Sequence, residues 1–116
     1  MAKQWSKDDI LRWHLKALPL CTIQDQRIKV NREAREFYRA EKRKDYVNKL
    51  EEIADVYIAS VALWKRYHDY AGRLMIEMIE HRRKWDEIAD AVDCKMEINA
   101  TRKFYKKYGE WRHEEE

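Results

Sequence analysis

The chain has few residues that break regular structure. Its 116 residues include two glycines and one proline. A β-sandwich or barrel turns often and draws on both residue types, so this scarcity argues against such folds and for a few long helices. Only two cysteines occur, Cys21 and Cys94. They have no metal-type spacing and no disulfide framework, so the expected compartment is a reducing cytoplasm. No apolar run approaches the ~20 residues of a membrane span. The opening Met1-Ala2-Lys3-Gln4-Trp5 lacks the apolar centre of a signal peptide. Neither charge sign dominates: 25 Lys and Arg stand against 22 Asp and Glu, a net charge of +3. That is far from the basic field of a nucleic-acid binder, although Arg82-Arg83-Lys84 and Lys103 to Lys107 form small basic patches. No P-loop, glycine-rich phosphate loop, nucleophile elbow or Cys/His zinc cluster is present.

What remains is a chain that is 41% charged and 45% apolar. That apolar share supports a core, and the length suits one domain over residues 1–116. The periodicities predict an all-α bundle of four to five helices. A first helix spans Lys7 to Leu18, with Ser6 as its N-cap and Pro19 ending it. Thr22 caps a second, with Asp25 in its first turn. Ile23, Val30 and Phe37 recur there every seven residues, and the helix runs to about Lys42, followed by a solvated turn to Asp45. In the third, Val47, Leu50, Ala54, Tyr57, Val61, Trp64 and His68 step alternately by three and four, an a/d seam. A helix this apolar belongs in a core or a subunit interface, and the seam offers a surface for oligomerisation. On this reading His68 is a core residue and Gly72 bends or ends the helix. Leu74 to Ile79 continue the apolar pattern. A last helix is expected from Trp85 to Tyr108, capped by Gly109, with a frayed tail over 110–116.

Residues three apart on a helix project from nearly the same face. Glu33 and Glu36 form one such pair, and Glu52 and Asp55 another. If the second and third helices face each other, four carboxylates converge. At short range they require protons or a cation. Oxygen ligands alone favour a hard ion, Mg²⁺ or Mn²⁺. The same spacing at Glu77-Glu80 and Glu87-Asp90 reads as solvated surface. Glu33 differs because it lies in the apolar stripe of its helix, one turn from Val30 and one from Phe37. Asp55 differs because it lies one turn from Ile58 and Ala59. Acids on packing faces are costly unless paired, protonated or metal-bound.

These residues carry a resemblance. Lys29-Val30-Asn31-Arg32-Glu33-Ala34-Arg35-Glu36 followed by Glu51-Glu52-Ile53-Ala54-Asp55-Val56 resembles the ExxE…ExxD signature of MazG-like nucleotide pyrophosphohydrolases, the all-α NTP pyrophosphatases. Lys95-Met96-Glu97-Ile98-Asn99-Ala100-Thr101-Arg102 resembles a segment on the last helix of that family, and the order of the three elements agrees. Arg32 departs from the pattern, standing where the family usually has the first Glu of EExxE. The resemblance implies a Mg²⁺ site at Glu33, Glu36, Glu52 and Asp55, a nucleoside triphosphate substrate cleaved between its α and β phosphates, and a homodimer or homotetramer.

Other residues are read beside it. Lys95, Asn99 and Arg102, at spacings of four and three, share one helix face and suit phosphate or sugar contacts. Trp13 is the candidate to stack on a base, against a reading as core, and His14 a candidate to line the base pocket. Two rivals stand against the enzyme. One is a non-catalytic helical protein that dimerises through the third-helix seam. The other is a nucleic-acid-binding domain that uses the two basic patches, disfavoured by the low net charge.

Overall fold

A computed structural model describes residues 3–107 and 110–113, with the backbone alone for 105–107 and 110–112. The element order is α1 (Lys7–Ala17), α2 (Ile23–Lys42), α3 (Tyr46–Tyr67), α4 (Tyr70–Glu80), α5 (Trp85–Asn99), β1 (Phe104–Lys107) and β2 (Glu110–His113). The expected bundle is present, and its starts are chemically specified. Ser6 and Asp9 form a capping box, each side chain accepting from the other's backbone N–H at 3.0 Å. Thr22 and Asp25 repeat it at the head of α2, at 3.0 and 3.1 Å. Such a cap satisfies donors that the first helical turn leaves orphaned, typically for about 1 kcal/mol. Leu18 closes α1 just before Pro19.

Helix α3 is the axis of the fold and packs against α1, α2, α4 and α5. Ten of the eleven positions from Ile53 to Leu63, all but Asp55, are buried. The main core cluster joins them to Ile10 of α1, Phe37 of α2, Ile76 and Ile79 of α4, and Ile88, Val92 and Met96 of α5. The seam is therefore covered from within the chain: Ala54, Tyr57 and Val61 are buried, while Val47 and His68 at its ends are exposed. Of the two expected readings of the seam, core and subunit interface, its middle takes the first, while His68, expected as a core residue, is exposed. A heptad pattern reports an apolar face and does not say which element covers it.

Gly72 neither bends nor ends α3. His68 does, adopting the left-handed conformation at φ 55°. Asp69 then caps α4 by accepting from the N–H of Ala71 at 3.0 Å, and also pairs with Arg27 at 2.7 Å. Gly72 lies in the first turn of α4, where a Cβ would sit 2.7 Å from the carbonyl oxygen of Ser60 and 2.8 Å from the nitrogen of Trp64. The glycine is needed for close approach of two helices that leave each other through a two-residue turn.

The last helix is shorter than expected. It ends at Asn99, and Thr101 donates its hydroxyl to the carbonyl of Ile98 at 2.8 Å. The chain then forms an antiparallel hairpin in the register Phe104↔His113 and Lys107↔Glu110. Phe104, Tyr105 and Trp111 favour strand over helix once apolar packing along the helix stops. Residues 110–113, expected as frayed tail, are the second strand. Tyr108, the expected cap Gly109 and residues 114–116 lie outside the described residues.

Candidate functional site

Helix α2 buries the stripe of Val30, Phe37 and Ala40, and Glu33 falls within it, only 5% exposed. The short α2–α3 connection folds the chain back so that Glu52, in the second turn of α3, comes beside Glu33 and Glu36. One oxygen from each of these three carboxylates lies within 4.8 Å of the others. Burial, then the charges of Asp55, Glu36 and Glu33, push the Glu52 carboxyl up to about 7. Its Oε2 is shut off from solvent and has no hydrogen-bond partner.

Asp55, the fourth expected member, is not in this group. Its Oδ2 faces the Lys95 ammonium at 3.5 Å. Burial still raises it to about 6, with Lys95 opposing and Glu33 adding to the rise. Lys29, one turn before Glu33 on α2, holds Glu33 Oε1 at 2.6 Å. Lys29 stands inside the motif Lys29 to Glu36, which carried no expected role for it. Its position four residues before a buried acid was the available signal.

Beside the carboxylates opens a cavity of about 320 Å³. Glu33, Glu36 and Asp55 line it, together with Lys29, Arg32, Lys95, Asn99 and Arg102. The three residues expected to share a helix face thus reach one cavity, although Arg102 stands beyond the end of α5. Trp13 lines the same cavity. It donates its indole N–H to the carbonyl of Asn99 at 3.3 Å and meets the Phe104 ring edge-on at 5.7 Å. It is half-buried, so it serves as wall and as core at once. Phe104 and His113 of the hairpin complete this aromatic side, with ring centroids 6.2 Å apart. Sequence reading missed both, having placed Phe104 in a helix.

His14 and Gln26, which also line the cavity, belong to a polar network. Arg66 donates to His14 Nδ1 at 3.0 Å and to the carbonyls of Leu18 and Pro19 at 2.7 and 2.9 Å. Since arginine has no acceptor, Nδ1 accepts and Nε2 carries the proton, which it donates to Gln26 Oε1 at 2.9 Å. Gln26 Nε2 in turn donates to the carbonyl of Ala59 at 2.9 Å. Burial holds the His14 imidazole down to about 4, so it is neutral. His14 was expected as a possible wall residue; Gln26 carried no recognisable sequence signal.

The donor set fits a hard divalent ion. Every candidate ligand is a carboxylate oxygen, the three lie within 4.8 Å of one another and would draw in slightly around an ion holding oxygens at about 2.1 Å, and Glu52 presents a buried oxygen lacking a partner. The rest of the cavity combines cations for phosphate with an aromatic wall for a planar group.

The basic patches are less distinctive. Arg82, Arg83 and Lys84 are exposed in the α4–α5 turn, where Arg82 covers the Phe37 ring and Lys84 pairs with Glu87 at 3.6 Å. Lys103 is exposed; the side chains of Lys106 and Lys107 lie outside the described residues. Among the described residues no helix is long and apolar enough to cross a membrane. No protein-family model matches the chain, and no curated protein and no solved structure does either.

Proposed function

We propose that this chain is a Mg²⁺-dependent nucleoside triphosphate pyrophosphohydrolase that converts a (d)NTP and water to a (d)NMP and diphosphate, a reaction that cleans the nucleotide pool. The observation that carries the reading is the convergence of Glu33, Glu36 and Glu52 within 4.8 Å at the edge of a cavity that also holds Lys95, Arg102 and Trp13. The sequence resemblance to MazG-like enzymes points the same way and implies the homodimer or homotetramer; the sparse cysteines favour a cytoplasmic setting.

In this reading Glu33, Glu36 and Glu52 hold Mg²⁺, or Mn²⁺, which when bound supplies neutralising charge for a polyphosphate and lowers the pKa of water. The chain's own residues do the rest. Lys95 and Arg102 draw the phosphates to the carboxylate edge, guanidinium and ammonium both being donor-only groups. Asp55 fixes Lys95 by its ion pair, which aims the ammonium into the cavity. Trp13 offers a ring face to the base, and Asn99 adds an amide beside the sugar. A carboxylate of the cluster accepts the proton that the attacking water loses. Water's oxygen joins the α-phosphorus, and the bridging α–β oxygen leaves with diphosphate.

A panel of nucleotides with Mg²⁺, read as diphosphate release, tests the assignment. Turnover of at least one nucleotide is expected. Glu33→Gln, Glu52→Gln and Asp55→Asn are expected to reduce it by at least a hundredfold. Activity that survives all three substitutions removes the site. No turnover of any nucleotide favours a non-catalytic interaction protein. Such a protein would use a surface other than the α3 seam, which is internal.

A further inference from the structure

Resting on the pyrophosphohydrolase reading, we propose that Lys29 is an exchangeable occupant of the carboxylate site: its ammonium neutralises Glu33 in the metal-free protein and turns to the substrate phosphates once the divalent ion is bound. Glu33 is a nearly buried acid on a packing face, a placement that requires a counter-charge. Lys29 supplies it at 2.6 Å, from the same helix and one turn away. The two ends of this pair differ in exposure. The Glu33 side chain is 7% exposed and the Lys29 side chain 41%. The lysine therefore reaches the acid from the water-filled side, and its four-carbon stem can swing away with no backbone movement.

The ammonium is also an incomplete occupant. It brings one charge to one of three clustered carboxylates, and Glu52 Oε2 is left without a partner. A divalent ion brings two charges to all three, so it displaces the ammonium from Glu33. Lys29 lines the same cavity as Lys95 and Arg102. On release it has anionic phosphate oxygens as its nearest new partners. Lys95 behaves differently. It pairs with Asp55, outside the three-carboxylate group, at the longer distance of 3.5 Å, so it stays in place when the ion binds. One lysine is thus a stand-in for the ion and the other a fixed phosphate contact.

The test measures Mn²⁺ affinity by electron paramagnetic resonance or calorimetry on the full chain, with no turnover required. Lys29→Met, which keeps the stem and removes the charge, is expected to bind Mn²⁺ roughly tenfold more tightly, the order set by one screened unit charge a few Å from a divalent ion. Lys29→Arg should remain within about threefold of the parent, since it restores the competing cation. Lys95→Met should tighten Mn²⁺ by less than Lys29→Met does. At saturating Mn²⁺, diphosphate should bind Lys29→Met roughly tenfold more weakly than the parent, because the released ammonium is missing. Unchanged or weaker Mn²⁺ binding by Lys29→Met overturns the exchange, and so does an unaltered diphosphate affinity. If Lys29→Met fails to fold without metal, Lys29→Gln is measured in its place. A parent protein that binds Mn²⁺ and diphosphate but hydrolyses no nucleotide sinks the enzymatic reading, while these affinities still decide the exchange. A parent that binds no Mn²⁺ overturns both.

Discussion

Asp55 is half-buried beside Glu33, and burial raises its carboxyl to about 6 from an ordinary value of 3.8, against the opposing charges of its partner Lys95 and of Lys29. Linkage converts that displacement into a pH-dependent stability. The folded state binds the Asp55 proton more tightly than the unfolded state does, so this group's contribution falls as pH rises from 3.8 through about 6. Fully developed, the loss is roughly 3 kcal/mol. About half has already occurred at pH 5, leaving roughly 1.4 kcal/mol between pH 5 and pH 8. Glu52, raised to about 7, pulls in the same direction. Its share is smaller than its displacement suggests, because much of that side chain is open to screening solvent. His14 pulls the other way. Its imidazole is held down to about 4, so its contribution is complete above pH 6.5 and is lost as pH falls towards 4. A raw pH profile therefore mixes opposed trends, and the informative quantity is a difference. Urea unfolding followed by circular dichroism, without divalent metal, should find Asp55→Asn gaining on the parent by about 1.4 kcal/mol between pH 5 and 8. A pH-independent gap would refute the idea that burial governs Asp55. A gap of opposite sign would mean that Lys95 outweighs burial.

Gly72→Ala places a methyl group 2.7 Å from the Ser60 carbonyl; unfolding midpoints should record a loss of about 1–3 kcal/mol, despite the better helix propensity of alanine. His14→Gln should abolish the loss of stability between pH 6.5 and 4, which burial of the neutral ring sets at up to about 3 kcal/mol in the parent, as read by urea titrations across that range. Trp13→Ala should raise KM for the preferred nucleotide by about tenfold, the scale of one lost base–aromatic stack, with a smaller effect on kcat in the diphosphate-release assay.

Most of the helical frame was legible because each boundary has local chemistry. Ser6, Thr22 and Pro19 act within three residues of themselves, and the structure uses each of them as the sequence implies. The clustering of Glu33, Glu36 and Glu52 was legible for a related reason. Helical spacing puts Glu33 and Glu36 on one face, and a short connection folds the next helix against it. Partners set by distant contacts were not legible. Lys95 lies forty residues from Asp55, and either could have faced solvent. Gln26 looks like any surface glutamine until Ala59, thirty-three residues on, offers its carbonyl. The hairpin escaped because Tyr105 and Lys106 fit the tail of an amphipathic helix as well as a strand. What decides between them is the contact of Phe104 with Trp13, ninety-one residues back.

The same contrast bears on why the acids sit where they do. The apolar stripe of α2 would pack against α3 more favourably with leucine than with glutamate at position 33, since a buried carboxylate keeps its desolvation cost even when Lys29 neutralises it. Glu52 adds a buried oxygen with no partner, and Asp55 a carboxyl pushed well above its usual range. Three local penalties gathered in one place favour the proposed cation site over a purely structural ion-pair network, which satisfies its lone pairs from within. The surrounding fold is rich in satisfied groups by comparison: both capping boxes are complete and Arg66 distributes donors over His14, Leu18 and Pro19. Helices α1 to α4 begin on side-chain caps, and among the described residues the buried side-chain oxygens without a partner are Ser60 Oγ, inside α3, and Glu52 Oε2, beside Glu33 and Glu36. Under the proposed metal-site reading, an entering cation would offset these penalties, so stability forgone without the ion would reappear as affinity for it.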